Sequence, residues 1–90
     1  MPTKKVSITN TLGLHARPAM TFAERAGEFS SQITVRRVDG GDPVDGKSIM
    51  QLLMLAGTKG TKLEIAAEGD DAAKALDALS QLVKAGFDED

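Results

Sequence analysis

The chain has 90 residues, enough for one small domain, and its 41% hydrophobic but only 3% aromatic residues predict a core of aliphatic side chains. A net charge of -2 at pH 7 argues against a general nucleic-acid-binding protein, which needs a basic face to neutralise phosphates. The absence of cysteine excludes disulfides and thiolate sites, and with a single histidine no metal site is expected. No apolar segment has the length of a signal peptide core or a membrane span. We therefore expect a single domain over residues 1–90, located in the cytoplasm, with no cofactor and no nucleic-acid or membrane partner.

The first two predicted elements are a strand and a helix on either side of Gly13. Val6 and Ile8 alternate with polar residues, which is typical of a strand with one buried face, and this strand should end near Asn10. After Gly13, apolar residues recur at the spacing that forms one stripe along a helix, and Gly27 is a suitable end. The stripe comprises Ala16, Ala19, Met20, Ala23 and Ala26.

A hairpin and a short helix follow. The segment SQITVRRV predicts a strand with Ile33 and Val35 on one face, and DGGD provides the turn to a short returning strand. Ser48 and Gln51 form a capping box, in which each side chain satisfies a backbone N–H at the start of a helix that ends near Leu55.

The last two elements are a strand and a longer helix. TKLEIAAE alternates apolar and polar residues, and Asp70 is expected to cap the helix that follows. The buried stripe of this helix comprises Ala72, Ala75, Leu76, Leu79, Leu82 and Val83. Gly86 and Phe87 fit a left-handed helix end with an apolar residue folding back on the last turn. Because two strands are joined by a tight turn and no βαβ alternation is sustained, this order predicts an α+β fold: a four-stranded antiparallel sheet with three helices on one face.

His15, the only histidine, lies just before the first helical turn, which Ala16, Arg17 and Pro18 occupy. Pro18 is tolerated there because its missing N–H would have no partner within the helix. The positive end of the helix dipole disfavours a protonated imidazole, and a neutral ring nitrogen is a nucleophile. A phosphoryl group on that nitrogen would face unpaired backbone N–H groups, and Arg17 could add a charge-assisted hydrogen bond. The segment therefore suggests a phosphoryl acceptor.

The residues alone leave other roles for this segment open. By spacing alone, a solvated residue at a helix start is the commoner role of a lone histidine. A metal site would need a second histidine or a cysteine, and a serine hydrolase would need a G-x-S-x-G turn; the sequence has neither. The stretches GTKG and DGG are typical of turns rather than of phosphate-binding loops.

Four segments carry a family resemblance: GLHARPA at 13–19, KSIMQLLML at 47–55, KGTKLEIAAEGDDAAKALDAL at 59–79, and the ending GFDED. They resemble the HPr family, the histidine-containing phosphocarriers of the bacterial phosphoenolpyruvate-dependent phosphotransferase system. The segments cover nearly the whole chain in order, and the His-x-Arg-Pro piece coincides with the helix start placed independently. The resemblance implies an open-faced sandwich with sheet order 1-4-2-3.

The resemblance also implies a phosphoryl shuttle rather than an enzyme. Enzyme I, charged by phosphoenolpyruvate, would phosphorylate Nδ1 of His15, and the group would then pass to a histidine on an enzyme IIA domain. Arg17 resembles the phosphate-stabilising arginine of the family. Ala16 would contribute its backbone N–H, and Pro18 would help to fix the turn.

Ser48 and the short helix after it carry a regulatory hypothesis. In the regulated branch of the family, the serine that opens this helix is phosphorylated by an ATP-dependent HPr kinase, and KSIM resembles that site; a transcriptional regulator would be a further partner. The alternative is that Ser48 is only a helix cap. Leu52 and Met54 are expected in the core. An exposed apolar docking patch would comprise Ile49, Met50 and Leu53.

Two alternatives stay open at the level of sequence. LLMLAGTKGT and GFDED resemble the nitrogen-related branch of the family, so the chain could serve that branch or the sugar branch. The runner-up function is a regulatory binding module that uses Ser48 and the patch around Met50, with His15 incidental. The pair of His15 and Arg17 favours the carrier, because a serine-dependent regulator has no physical need of it. A monomer is expected.

Overall fold

The computed structural model describes residues 2–88, and its elements follow the predicted order. The strands are β1 (Thr3–Ser7), β2 (Gln32–Arg37), β3 (Val44–Asp45) and β4 (Lys62–Glu68). The helices are α1 (Ala16–Ala26), α2 (Ile49–Leu53) and α3 (Ala72–Lys84), and a 3-10 turn (Gly86–Asp88) follows α3. β1 ends at Ser7, earlier than predicted, although the Ile8 N–H still donates to the Thr61 carbonyl at 2.9 Å.

The four strands form one antiparallel sheet in the order β1-β4-β2-β3, which confirms the expected topology. The last strand in the chain, β4, therefore lies inside the sheet, where Ile65 is opposite Lys4 of β1 and Val35 of β2. In β2 and β4 alternate residues are buried against the helices, and in β1 Val6 is buried, while the other face of the sheet carries mainly half-buried and exposed polar side chains. On that polar face Arg36 Nε donates to Glu64 Oε1 at 2.8 Å.

The core lies between the sheet and the helices, and the buried stripe of α1 is turned relative to its prediction. Ala16 and Met20 are exposed, whereas Pro18 and Phe22 are buried. Phe22, the largest side chain of the stripe, is 2% exposed. Because burying Phe22 removes the most apolar area from water, α1 is rotated so that Phe22 faces the core, and the buried positions are those on the side of Phe22. The predicted stripe of α3 is confirmed, since all six of its residues are buried.

The start of α3 is tied to a neighbouring loop, and the predicted cap is wrong. The residue before the helix is Asp71 rather than Asp70, and its side chain does not cap the helix. Its carboxylate instead accepts the backbone N–H of Ser30 at 2.9 Å and of Ser31 at 3.0 Å, and the Ser31 hydroxyl also donates to it. These bonds, that from the Ser31 hydroxyl foremost, lower the pKa of Asp71 to about 2, because they stabilise the ionised form.

The end of α3 has the left-handed turn that the sequence predicts. Gly86 has a φ of +69°, and Phe87 after it is 3% exposed. The phenyl ring therefore closes the core beside the last turn of the helix. Within residues 2–88, no helix is long and apolar enough to cross a membrane.

Candidate functional site

His15 lies just before the first turn of α1, as the sequence predicts, and it is half-buried with an extended backbone. Its side chain does not cap the helix. The first helical hydrogen bond runs from the Ala19 N–H to the His15 carbonyl at 3.0 Å. The N–H groups of Ala16 and Arg17 precede that bond and have no acceptor within the helix, while Pro18 has no N–H to satisfy. The helix start therefore presents two backbone donors beside the imidazole.

The loop before His15 is fixed by a close contact between two glycines. Gly13 has a φ of +70°, and a Cβ added there would lie 2.5 Å from the carbonyl oxygen of Gly57. The Leu14 N–H donates to that same oxygen at 2.8 Å. On the other side of the loop, Asn10 Nδ2 donates to the Gly13 carbonyl at 2.7 Å. Only glycine fits at Gly13, because both its backbone conformation and its space exclude a side chain.

Buried residues anchor the chain on both sides of the site. Leu14 is 5% exposed and Pro18 is fully buried, whereas Ala16 and Arg17 between them are exposed. The guanidinium of Arg17 makes no hydrogen bond or ion pair with any residue in the range 2–88. The structure thus brings together His15, Arg17 and the helix start as predicted, and leaves the arginine available for an anion.

Ser48 caps α2, but only half of the predicted capping box forms. The Ser48 hydroxyl accepts the Gln51 N–H at 3.2 Å. The prediction that the Gln51 side chain bonds back to the start of the helix is wrong: that side chain accepts the Asp45 N–H at 2.9 Å instead. The physical reason is that the Ser48 N–H already donates to the Asp45 carbonyl at 3.1 Å. Ser48 is half-buried at the beginning of a short exposed helix.

The exposed apolar residues of α2 and the turn after it form what we call the α2 surface: Ile49, Met50, Leu53 and Met54. The predicted exposure of the first three is confirmed, at 37%, 78% and 39%. Leu52 is 1% exposed, as predicted, but the expectation of a buried Met54 is wrong, since it is 76% exposed. Met54 follows Met50 by four residues and therefore lies on the same side of the turn. Leu12 and Met20 are also exposed, at 71% and 48%, and the sequence did not predict this for either of them.

Arg37 ties the end of α2 to the sheet. Its Nη1 donates to the carbonyl of Leu55 at 3.2 Å and reaches that of Ala56 at 3.5 Å. Its other nitrogens bond the carboxylate of Asp39 at 2.9 and 3.0 Å, which lowers the pKa of that carboxyl. Gly57, the residue after this contact, accepts the bond from the loop before His15. The α2 surface and the His15 loop are therefore joined at one segment.

Comparison with known proteins identifies the family. A family model described as "PTS HPr component phosphorylation site" matches residues 2–85. The chain belongs to the HPr family. It is 46% identical to phosphocarrier protein HPr of Pseudomonas aeruginosa over 89 residues, which are 99% of this chain and 98% of that protein. It is 42% identical to phosphocarrier protein NPr of Escherichia coli K12 over 85 residues, or 94% and 93% of the two chains.

The fold matches solved structures of HPr proteins. HPr-C-His from Thermoanaerobacter tengcongensis superposes with a TM-score of 0.91 at 40% identity, and the match covers 100% of this chain and 99% of that one. As a member of the HPr family, the chain is a phosphocarrier of the phosphotransferase system rather than a catalytic enzyme. Within residues 2–88, no group of three His, Cys, Asp or Glu is placed to hold a metal ion.

Proposed function

We propose that this chain accepts a phosphoryl group from phospho-enzyme I on Nδ1 of His15 and passes it to a histidine of an enzyme IIA domain. The observation that carries the proposal is the position of His15 at the start of α1, beside two backbone donors and the exposed Arg17. In each transfer one bond to phosphorus forms at the acceptor nitrogen as the bond to the donor breaks.

The helix start suits a group that must be held and then released. A phosphoryl group brings close to two negative charges, which the backbone N–H groups of Ala16 and Arg17 and the helix dipole stabilise. The Arg17 guanidinium adds a charge-assisted hydrogen bond. Together these effects are worth on the order of 1–3 kcal/mol. A difference of that size shifts a transfer equilibrium by roughly one to two decades, so the carrier is not trapped in either form.

The α2 surface is the proposed docking site for both partners. Its most exposed side chain, Met50, is 78% exposed, although apolar groups of this size gain most when buried. The surface directly precedes the segment 55–57, which holds the His15 loop through the Gly57 carbonyl, so a partner bound to the surface would lie on the side of the domain that carries the acceptor nitrogen. Residues of this kind at the centre of an interface commonly supply most of its binding energy.

The first test is transfer itself, followed by intact-mass spectrometry at neutral to basic pH. After incubation with phosphoenolpyruvate and enzyme I, we expect one acid-labile phosphoryl group that maps to His15. His15→Ala should fold normally and accept none, while Arg17→Lys should accept it more slowly because lysine cannot form the bidentate contact. Acid-labile phosphate on His15→Ala would disprove the assignment. Enzyme I of the sugar branch and enzyme I of the nitrogen branch are tested side by side. The one that phosphorylates the chain faster identifies the branch that the chain serves.

A second proposal concerns Ser48 as a regulatory site, phosphorylated by an HPr kinase and read by a transcriptional regulator. Ser48→Asp keeps an oxygen that can cap α2 but adds charge beside the α2 surface. Ser48→Ala removes the cap without adding charge, at a cost of about 1 kcal/mol. We expect Ser48→Asp, but not Ser48→Ala, to slow acceptance from enzyme I. Equal rates would leave Ser48 as a cap alone.

The runner-up function and the oligomeric state are tested by the same preparations. If neither enzyme I modifies the chain under conditions that charge a known carrier, a regulatory binding module becomes the better proposal. We propose a monomer, and sedimentation equilibrium across a range of concentrations tests it.

A further inference from the structure

The α2 surface holds the most exposed methionines among residues 2–88. Met50 and Met54 are 78% and 76% exposed, and Met20 on α1 is 48% exposed. The fourth methionine, Met1, lies outside the described residues. A methionine is ordinarily found inside a core, where its flexible thioether fills gaps. Here two of them stand one turn apart in solvent on a surface proposed to bind partners.

Composition makes these thioethers the chain's principal targets for oxidation. The sequence has no Cys, Trp or Tyr, so no thiol, indole or phenol competes for an oxidant. A peroxide transfers one oxygen atom to the thioether sulfur as its O–O bond breaks. The sulfur is oxidised by two electrons, and the peroxide is reduced to water or to an alcohol. The product, methionine sulfoxide, is polar and is reduced again by methionine sulfoxide reductases.

The fold would survive this change, because the sulfurs lie outside the core. α2 is held from beneath by Leu52, which is 1% exposed, at its start by the Ser48 cap, and at its end by Arg37. Neither Met50 nor Met54 belongs to the buried core. Oxidation would therefore alter the chemistry of the α2 surface and leave its backbone in place.

We propose that Met50 and Met54 are sites of reversible oxidation by peroxides, and that their oxidation to sulfoxides weakens the binding of enzyme I to the α2 surface. This inference rests on the proposed function, since it takes the α2 surface as the docking site. A sulfoxide oxygen buried in an apolar interface without a hydrogen-bond partner opposes binding, so partner affinity falls while the His15 site stays intact. Under peroxide stress the oxidised chain would take part less in phosphoryl transfer, and reduction of its sulfoxides would restore it.

The experiment treats the purified chain with hydrogen peroxide, removes the peroxide, and then adds phosphoenolpyruvate and enzyme I. Peptide mapping should find sulfoxide at Met50 and Met54 before Met20. The KM of enzyme I for the oxidised chain should rise at least tenfold with little change in kcat, and a mixture of the two reductase types should restore it. The matched control is the double variant Met50→Leu and Met54→Leu, whose KM, whatever its starting value, should not respond to peroxide.

The outcomes separate this inference from the function beneath it. If the untreated chain accepts no phosphoryl group on His15, the proposed function is wrong, and so is the proposal that enzyme I docks on the α2 surface. If the untreated chain is active, two results overturn this inference alone. One is full oxidation of Met50 and Met54 with a KM changed less than twofold, and the other is a double variant that loses affinity after peroxide as the wild type does.

Discussion

Replacing Gly13 by alanine tests whether the loop before His15 is held as tightly as its contacts indicate. Two independent effects oppose the substitution. The φ of +70° is in the left-handed region that residues with a Cβ adopt at a cost. The new Cβ would also lie 2.5 Å from the Gly57 carbonyl oxygen and 2.9 Å from Thr58 Cα. Both are backbone atoms, which move only if their whole segment moves.

The two costs can be estimated separately. A left-handed backbone costs an alanine roughly 1–2 kcal/mol. Forcing a methyl group into a filled space costs typically about 1–3 kcal/mol, since neighbouring backbone must shift. We therefore expect Gly13→Ala to lower the free energy of unfolding by about 2–5 kcal/mol, a large part of the roughly 5–15 kcal/mol of a small domain. The displaced loop should also slow phosphorylation of His15 by more than the loss of folded protein explains.

Two other glycines isolate the two effects. Gly60 has a φ of +92° with nothing within 4 Å of an added Cβ, so Gly60→Ala measures the backbone cost alone. At Gly57 the added Cβ would meet Ile8 Cδ1 at 2.6 Å, the end of a flexible side chain, and the backbone is not left-handed. Urea unfolding of the three variants gives the free energies, and enzyme I transfer under conditions where each remains folded gives the rates.

The reasoning fails in either of two ways. If Gly13→Ala destabilises no more than Gly60→Ala, the overlap with the Gly57 segment has no energetic weight. If Gly13→Ala is strongly destabilised but its folded fraction is phosphorylated at the normal rate, the loop stabilises the fold without positioning His15.

Two further predictions concern charged residues away from His15. Because its hydrogen bonds hold the pKa of Asp71 at about 2, below the usual value near 4, the stability they provide is present above pH 4 and is lost as the pH falls toward 2. In thermal melts between pH 4 and pH 2, the melting temperature of Asp71→Asn should fall less than that of the wild type. The control Asp70→Asn, which alters an exposed neighbour, should lose stability as the wild type does. Melting temperatures that fall equally in both variants would contradict this. Arg37→Met should lower the melting temperature more than Asp39→Asn, because it also removes the bond to the end of α2; equal losses would show that this bond contributes nothing.

Local patterns predicted the elements well, and their failures occur where a pattern is too short or too uniform. In β4 the apolar residues Leu63, Ile65 and Ala67 recur at every second position, so the buried face is evident although Ala66 on the other face is also apolar. In the five residues of α2 all but Gln51 are apolar, and a pattern that is apolar nearly all round cannot say which side faces the core. Met54 directly follows these five residues, and the expectation that it is buried was wrong for the same reason. In α1 the large Phe22, absent from the predicted stripe, determines which side is buried.

The sequence indicated the chemistry of the site but not what holds it in place. His15, Arg17 and Pro18 are neighbours in the chain, so their relation to a helix start follows from local rules. The contact of Gly13 with Gly57 joins segments far apart in sequence and depends on the packed fold. The same holds for the bonds from Ser31 to Asp71: an aspartate before a helix is ordinarily a cap, and only the nearby loop makes another partner available.

The position of β4 determines how such a chain can fold during its synthesis. Within residues 2–88, β1 pairs only with β4, and β2 has no full-length neighbour apart from β4, since β3 contributes two residues. Until the ribosome has released the segment around Ile65, the earlier part of the chain can form little more than helical turns and a minimal hairpin. Thr3 then has to pair with Ala66, a separation of about two thirds of the chain, and closing so long a loop costs conformational entropy before the strands make their contacts. Folding of the domain should thus begin only after β4 has been synthesised and should then be all-or-none. Of the strands that pair with β4, β1 is synthesised first and therefore remains unpaired for the longest time.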